Sequence, residues 1–150
     1  MRALLAAIDA AFDGVPCPGP QSRTLRQAEA WDHYEQIDQS TDHEGRWQDL
    51  PAADIRACQQ ALPHLDAHGV RYYLPALMCH YLTHAEERDR WGFASLLYTL
   101  GPPGEGLGDH RKQRMALLTD DQRRAIALFV REVEAEDDIM VMWQKWLPGP

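Results

Sequence analysis

Histidines, cysteines and carboxylates are the residues of this chain whose types and spacing can do chemistry. His64 and His68, and His80 and His84, form two i, i+4 pairs. Two histidines on one helix face are the usual start of a zinc site. The comparison with a zinc protease fails at Tyr81, which stands where HExxH needs its general-base glutamate. A metal site on His80 and His84 of the central helix is therefore the weaker alternative, beside the ordinary reading of neutral, hydrogen-bonded rings. Cys17, Cys58 and Cys79 are widely spaced and include no CxxC pair. They read as free thiols of a reducing cytosol; Cys79 adjoins His80, but helix neighbours point about 100° apart, and no base is implied for Cys17. Ser22, Ser40 and Ser95 lie in no GxSxG turn, and Gly104 to Gly108 lacks the Lys-Ser/Thr of a phosphate-binding loop. No catalytic residue and no cofactor is expected.

The carboxylates are more informative. The 150 residues carry 15 Lys+Arg against 23 Asp+Glu, a formal charge of −8. That balance argues against a nucleic-acid partner, whose phosphates are neutralised by Lys and Arg. The charge is also uneven. Glu29 to Asp54 holds eight acids against Arg46 alone, and Glu132 to Asp138 holds five acids and no base. Between Arg111 and Arg131, six bases oppose Asp120 and Asp121. An acidic surface of this kind steers a basic protein partner. The residues expected to form the contact are Asp38, Asp42 and Glu44 in the first segment and Glu132, Glu134, Glu136, Asp137 and Asp138 in the second. Trp143 and Trp146, three apart behind the acidic run, either dock on their own domain or anchor an interface.

The elements that must position these residues read as helices. Leu4, Leu5, Ile8 and Phe12 recur at helical spacing, and Pro16, Pro18 and Pro20 stop that helix. Ser22 or Thr24 caps a second helix, in which Trp31, Tyr34 and Ile37 share one arc. A third is expected from Asp49 through Ile55, Cys58 and Leu62 to Pro63. Val70 to Leu82 is apolar all round the wheel, the mark of a buried central helix. Pro75 disfavours helix at Leu74, so that helix is expected to start at Pro75, with Tyr72 to Leu74 extended. Trp91, Phe93, Leu96, Leu97 and Leu100 form another apolar segment, followed by a glycine-rich stretch, Gly101 to Gly108, that reads as a mobile surface loop. Thr119 and Gln122 match a capping box, and Ile139 to Leu147 reads as a last short helix. Strand signals are scarce. The expectation is one all-α domain, residues 1–150, of about six or seven helices around a buried central one.

Phe12-Asp13-Gly14-Val15-Pro16, Trp47-Gln48-Asp49-Leu50-Pro51, Arg71-Tyr72-Tyr73-Leu74-Pro75-Ala76 and Leu118-Thr119-Asp120-Asp121-Gln122 occur in that order. Together they resemble an uncharacterised bacterial domain family centred on a Tyr-Tyr-Leu-Pro-Ala signature, over roughly residues 4 to 130. The resemblance implies a small helical bacterial protein of the cytoplasm and carries no activity with it. No apolar run reaches the roughly 18–20 residues of a membrane span, and no secretory signal pattern opens the chain. The reading is a non-enzymatic acidic binding protein of the cytoplasm, most concretely an immunity protein that neutralises a co-encoded basic toxin domain. The alternative is a small metal-binding protein or enzyme using the central-helix histidines.

Overall fold

A computed structural model describes residues 1–33 and 42–149. Eight α-helices are present among them: α1 (Arg2–Phe12), α2 (Leu25–His33), α3 (Ala52–Ala57), α4 (Ala67–Thr83), α5 (Trp91–Leu100), α6 (Gly108–Met115), α7 (Asp120–Glu132) and α8 (Asp137–Trp143). Short 3₁₀ turns at Trp47–Asp49, Leu62–His64, Ala85–Glu87 and Gln144–Trp146 join or extend them. No strand occurs among the described residues, so the fold is all-α.

The central helix α4 organises the rest. Twelve of its residues are buried, among them Val70, Leu74, Leu77 and Met78. It packs against α1, α5 and α6, while α7 closes the layer by packing on α1 and α8. The helix begins at Ala67, eight residues before the expected start, and Pro75 lies inside it. Asp66 explains the early start: its side chain accepts the Gly69 N–H, satisfying one of the free donors of the first turn. An interior proline costs about 3 kcal/mol. Burying a Leu or Met side chain returns about 1.5–3 kcal/mol each. Leu74, Leu77 and Met78, kept in register on both sides of the proline, therefore outweigh it.

Several other local expectations are corrected. The third helix breaks into α3 and the 3₁₀ turn at Leu62–His64, because Cys58 leaves helical geometry (φ −117°, ψ 58°). Gln59 consolidates the break by donating Nε2 to the carbonyls of Ile55 and Arg56. Thr24, not Ser22, caps α2: Gln27 N–H donates to Thr24 Oγ1 and Thr24 N–H to Gln27 Oε1. Trp31 is 59 % exposed, while Leu25, Ala28 and Ala30 are buried. The Arg23 guanidinium covers its ring at 4.1 Å, so Trp31 rests on a cation and not in the core. Tyr34 and Ile37, expected on the same arc, lie outside the described residues. The glycine-rich stretch is shorter than expected, since Gly101 is buried at the end of α5 and Gly108 already opens α6.

The capping box at Thr119 forms as the spacing predicts. Thr119 Oγ1 accepts from Gln122 N–H (3.2 Å), and Gln122 Oε1 accepts from Thr119 N–H (3.1 Å). Trp143 ends α8 inside the core and donates Nε1–H to the Leu100 carbonyl at 2.8 Å. Trp146 packs half-buried against that core. The tryptophan pair thus docks the terminal segment on its own domain.

Candidate functional site

The histidine pairs resolve into internal contacts. His64 lies in a 3₁₀ turn and His68 in the first turn of α4, so their spacing does not place them on one helix face. His64 Nε2 donates to Asp32 Oδ1 at 2.8 Å. His80 sits deep on α4 and donates Nε2–H to Glu87 Oε2 at 2.9 Å. Arg56 holds the other oxygen of Glu87, with Nε 2.9 Å away. These bonds, from Arg56 first and His80 second, pull the Glu87 carboxyl down to about 2. His84 stacks on His80 with ring centroids 4.4 Å apart, and its Nδ1 faces the His80 carbonyl at 3.0 Å. Among the described residues no group of three His, Cys, Asp or Glu side chains is placed to hold a metal ion. The thiols are poorly suited to nucleophilic work. Burial pushes Cys58 up to about 12 and Cys79 up to about 11.

The two acidic segments have different fates. Three of the eight acids of the first are engaged inside the molecule. Glu29 Oε2 accepts the Gln60 N–H at 2.7 Å, Asp32 pairs with His64, and Asp54 pairs with Arg26. These contacts hold α2 to α3 and to the turn that follows it. Asp42 is half-buried, its carboxylate oxygens are covered, and neither has a hydrogen-bond partner among the described residues. Glu44 is exposed. Asp38 lies outside the described residues.

The second segment is free. Glu132, Glu134, Glu136, Asp137 and Asp138 are all exposed, and none is in an ion pair among the described residues. Glu134 turns the chain between α7 and α8 with φ +50°, a left-handed geometry unusual for a residue with a side chain. That turn delivers Glu136 and Asp138 to the rim of a cavity of about 500 Å³. Phe93, Leu97 and Ile139 supply apolar lining, and Asp89 adds a third carboxylate. Arg88 and Arg90 also line it. Arg88 is already committed, donating Nε–H to the Tyr81 carbonyl at 2.8 Å.

Beside this cavity α5 shows an aromatic face. Trp91 is 74 % exposed and Tyr98 57 % exposed. They are seven residues apart, so two helical turns put them on one side of α5 with Ala94 between them. Phe93, Leu96 and Leu100 face inward instead. Counting Trp91 as part of the apolar segment is therefore corrected: it belongs to the outer face.

A family of unknown function, DUF6714, matches residues 1–146. The chain belongs to this family. No curated protein and no solved structure matches it. In this DUF6714 chain the Tyr-Tyr-Leu-Pro-Ala stretch is buried at every position. Tyr72 donates its hydroxyl to the Gly45 carbonyl at 2.9 Å, tying α4 to the segment before the Trp47 turn. The stretch is therefore packing, and the candidate surface of the DUF6714 fold lies elsewhere. Trp91 and Tyr98 were missed by apolar periodicity because a helix wheel scores an outward aromatic and an inward one alike. The legible signal was their separation of seven, out of phase with Phe93 and Leu100.

Proposed function

We propose that this protein is a non-enzymatic binding protein that captures a basic protein partner on the α5–α8 face. Its concrete form is an immunity protein of a bacterial cytoplasm, neutralising a toxin domain encoded beside it. The observation that carries this reading is the meeting of the unpaired acids Glu136 and Asp138 with Tyr98 around one apolar-floored cavity, with Trp91 exposed on the same side of α5. The acids attract and orient a basic surface. The aromatics supply the desolvated contact area that sets residence time. The internal hydrogen bonds of His64 and His80 and the raised thiols of Cys58 and Cys79 also favour a binding scaffold over a catalyst.

The experiment is co-expression with each product of the genes flanking this one, scored by growth, followed by association kinetics of the purified pair. Wild type restores growth. The combined variant Glu134→Lys, Glu136→Lys, Asp138→Lys slows association about tenfold at low salt and flattens its salt dependence. Trp91→Ala with Tyr98→Ala mainly speeds dissociation, by about 30-fold for a loss of about 2 kcal/mol. Kinetics unchanged in both variants would place the interface elsewhere.

A further inference from the structure

Arg111, Arg114 and Arg123 spend their donors on main-chain carbonyls. Arg111 Nε bonds Gly101 O (2.9 Å), Arg114 Nη1 bonds Pro63 O (3.0 Å) and Arg123 Nη2 bonds Met115 O (2.8 Å). None of the three meets a carboxylate at ion-pair distance among the described residues, although acids outnumber bases in the chain. Arg114 is the one that lines a large cavity, of about 620 Å³, between the start of α4, α5 and α6. Its Nε is buried with no hydrogen-bond partner among the described residues, and burial lowers the pKa of its guanidinium. A desolvated cation lacking a counter-charge is costly, and an anion in the cavity would relieve that cost.

Other groups around the cavity act in the same direction. Arg23 lines it, held by a 3.0 Å bond from Nη1 to the His64 carbonyl. His110, in the exposed first turn of α6, and Tyr98 add polar hydrogens. The first turns of α4 and α6 border the space, and the start of α6 has no side-chain cap. Such helix starts carry partial positive charge, offset in part by Asp66 at the cap of α4 and Asp109 in the first turn of α6. The carboxylate in the lining, Asp66, has both oxygens engaged, Oδ1 by the Gly69 N–H (2.8 Å) and Oδ2 by the Ser22 hydroxyl (2.6 Å). The volume falls within the range of small-ligand sites.

We infer that this cavity is a binding site for a small ligand bearing an oxyanion, a phosphate or a carboxylate, with Arg114 and Arg23 as its charge partners. Charge-assisted bonds from guanidinium groups suit either anion. The site is separate in chemistry from the acid-rimmed cavity, though Tyr98 borders both. A ligand seated beside Tyr98 therefore touches the same helix that the proposed partner would cover.

The test is a backbone and side-chain NMR titration of the full chain with inorganic phosphate and, separately, succinate, each at constant ionic strength against chloride. The expected result is a saturable shift confined to Ala67, His110 and Arg114 with at least one of the two probes. Saturation by phosphate alone assigns a phosphate ligand, and saturation by succinate alone assigns a carboxylate. Arg114→Gln also loses the bond to Pro63, so the second arm pairs Arg23→Gln, which gives up one exposed bond to the His64 carbonyl, with His110→Ala, whose side chain makes none among the described residues. Each of these is expected to weaken the saturable probe about tenfold while leaving the fold intact. Non-saturating shifts with both probes, or equal midpoints in wild type and the Arg23→Gln variant, would overturn the assignment.

Discussion

Glu87 illustrates how a single carboxylate ties distant elements together. It accepts from Arg56, in the last turn of α3, and from His80, inside α4. Its folded-state pKa lies near 2, below the roughly 4.3 of an unfolded glutamate. A depressed carboxylate contributes stability that is fully present above the unfolded pKa and is lost as pH falls through the folded one. Acid unfolding of the wild type is therefore expected to steepen between about pH 4 and pH 2. Glu87→Gln should flatten the melting temperature over that window, and a thermal melt series against pH reads it directly. An unchanged acid limb in the variant would show that other carboxylates govern it. Tyr81 offers a second test at this scale. Its buried hydroxyl has no hydrogen-bond partner among the described residues, so Tyr81→Phe removes an unsatisfied group. It should leave stability unchanged or raise it by about 1 kcal/mol in a urea melt.

At the scale of elements, caps and close approaches decide where helices begin and how near they pack. The Thr119 capping box opens α7, which carries Ile126, Phe129 and Val130 into the core. Thr119→Ala should destabilise the protein by about 1 kcal/mol, visible as a lower urea midpoint with an unchanged slope. Gly92 is where α5 meets the Tyr81 side chain of α4. A Cβ there would collide with the Tyr81 hydroxyl and press on Gln59 Oε1, 2.6 Å away. Gly92→Ala should cost about 1–3 kcal/mol. Part of that loss should return in the double variant with Tyr81→Phe, because one of the two colliding atoms is then gone. A double-mutant cycle that adds without coupling would contradict the proposed contact. The capping box was legible in the sequence because its two residues are three apart. The Gly92 contact was not, because Tyr81 and Gln59 reach that point from other elements.

For the molecule as a whole, the tryptophans separate what holds the fold from what is offered to a partner. Trp143 is buried and bonded to Leu100 O, so Trp143→Ala should cost about 3–5 kcal/mol. Trp91→Ala should change stability by less than about 0.5 kcal/mol, since most of its surface already meets solvent. Chemical denaturation of the two variants distinguishes them without any partner present. Comparable losses in both would mean that Trp91 belongs to the core. No helix among the described residues is long and apolar enough to cross a membrane, and the aromatic face on α5 is a local patch beside charged groups.

The all-α class, the buried central helix and the cap at Thr119 were determined by the sequence itself, because helix periodicity and capping depend on residues three or four apart. The early start of α4 was misread for a related reason. The rule that a residue before proline avoids helix is local, and it was overridden by Asp66 upstream and by burial all round the helix. Tertiary structure alone decided which acids are free. Arg26 and Asp54 are 28 residues apart, Arg56 and Glu87 31, and Asp32 and His64 32. Charge counting along the chain cannot see such pairings. Three acids of the first segment, Glu29, Asp32 and Asp54, are committed to holding α2 to its neighbours. The second, with no partner among the described residues, remains as the charged rim of a cavity, because ion pairing is settled by distance in space and not by position in the chain.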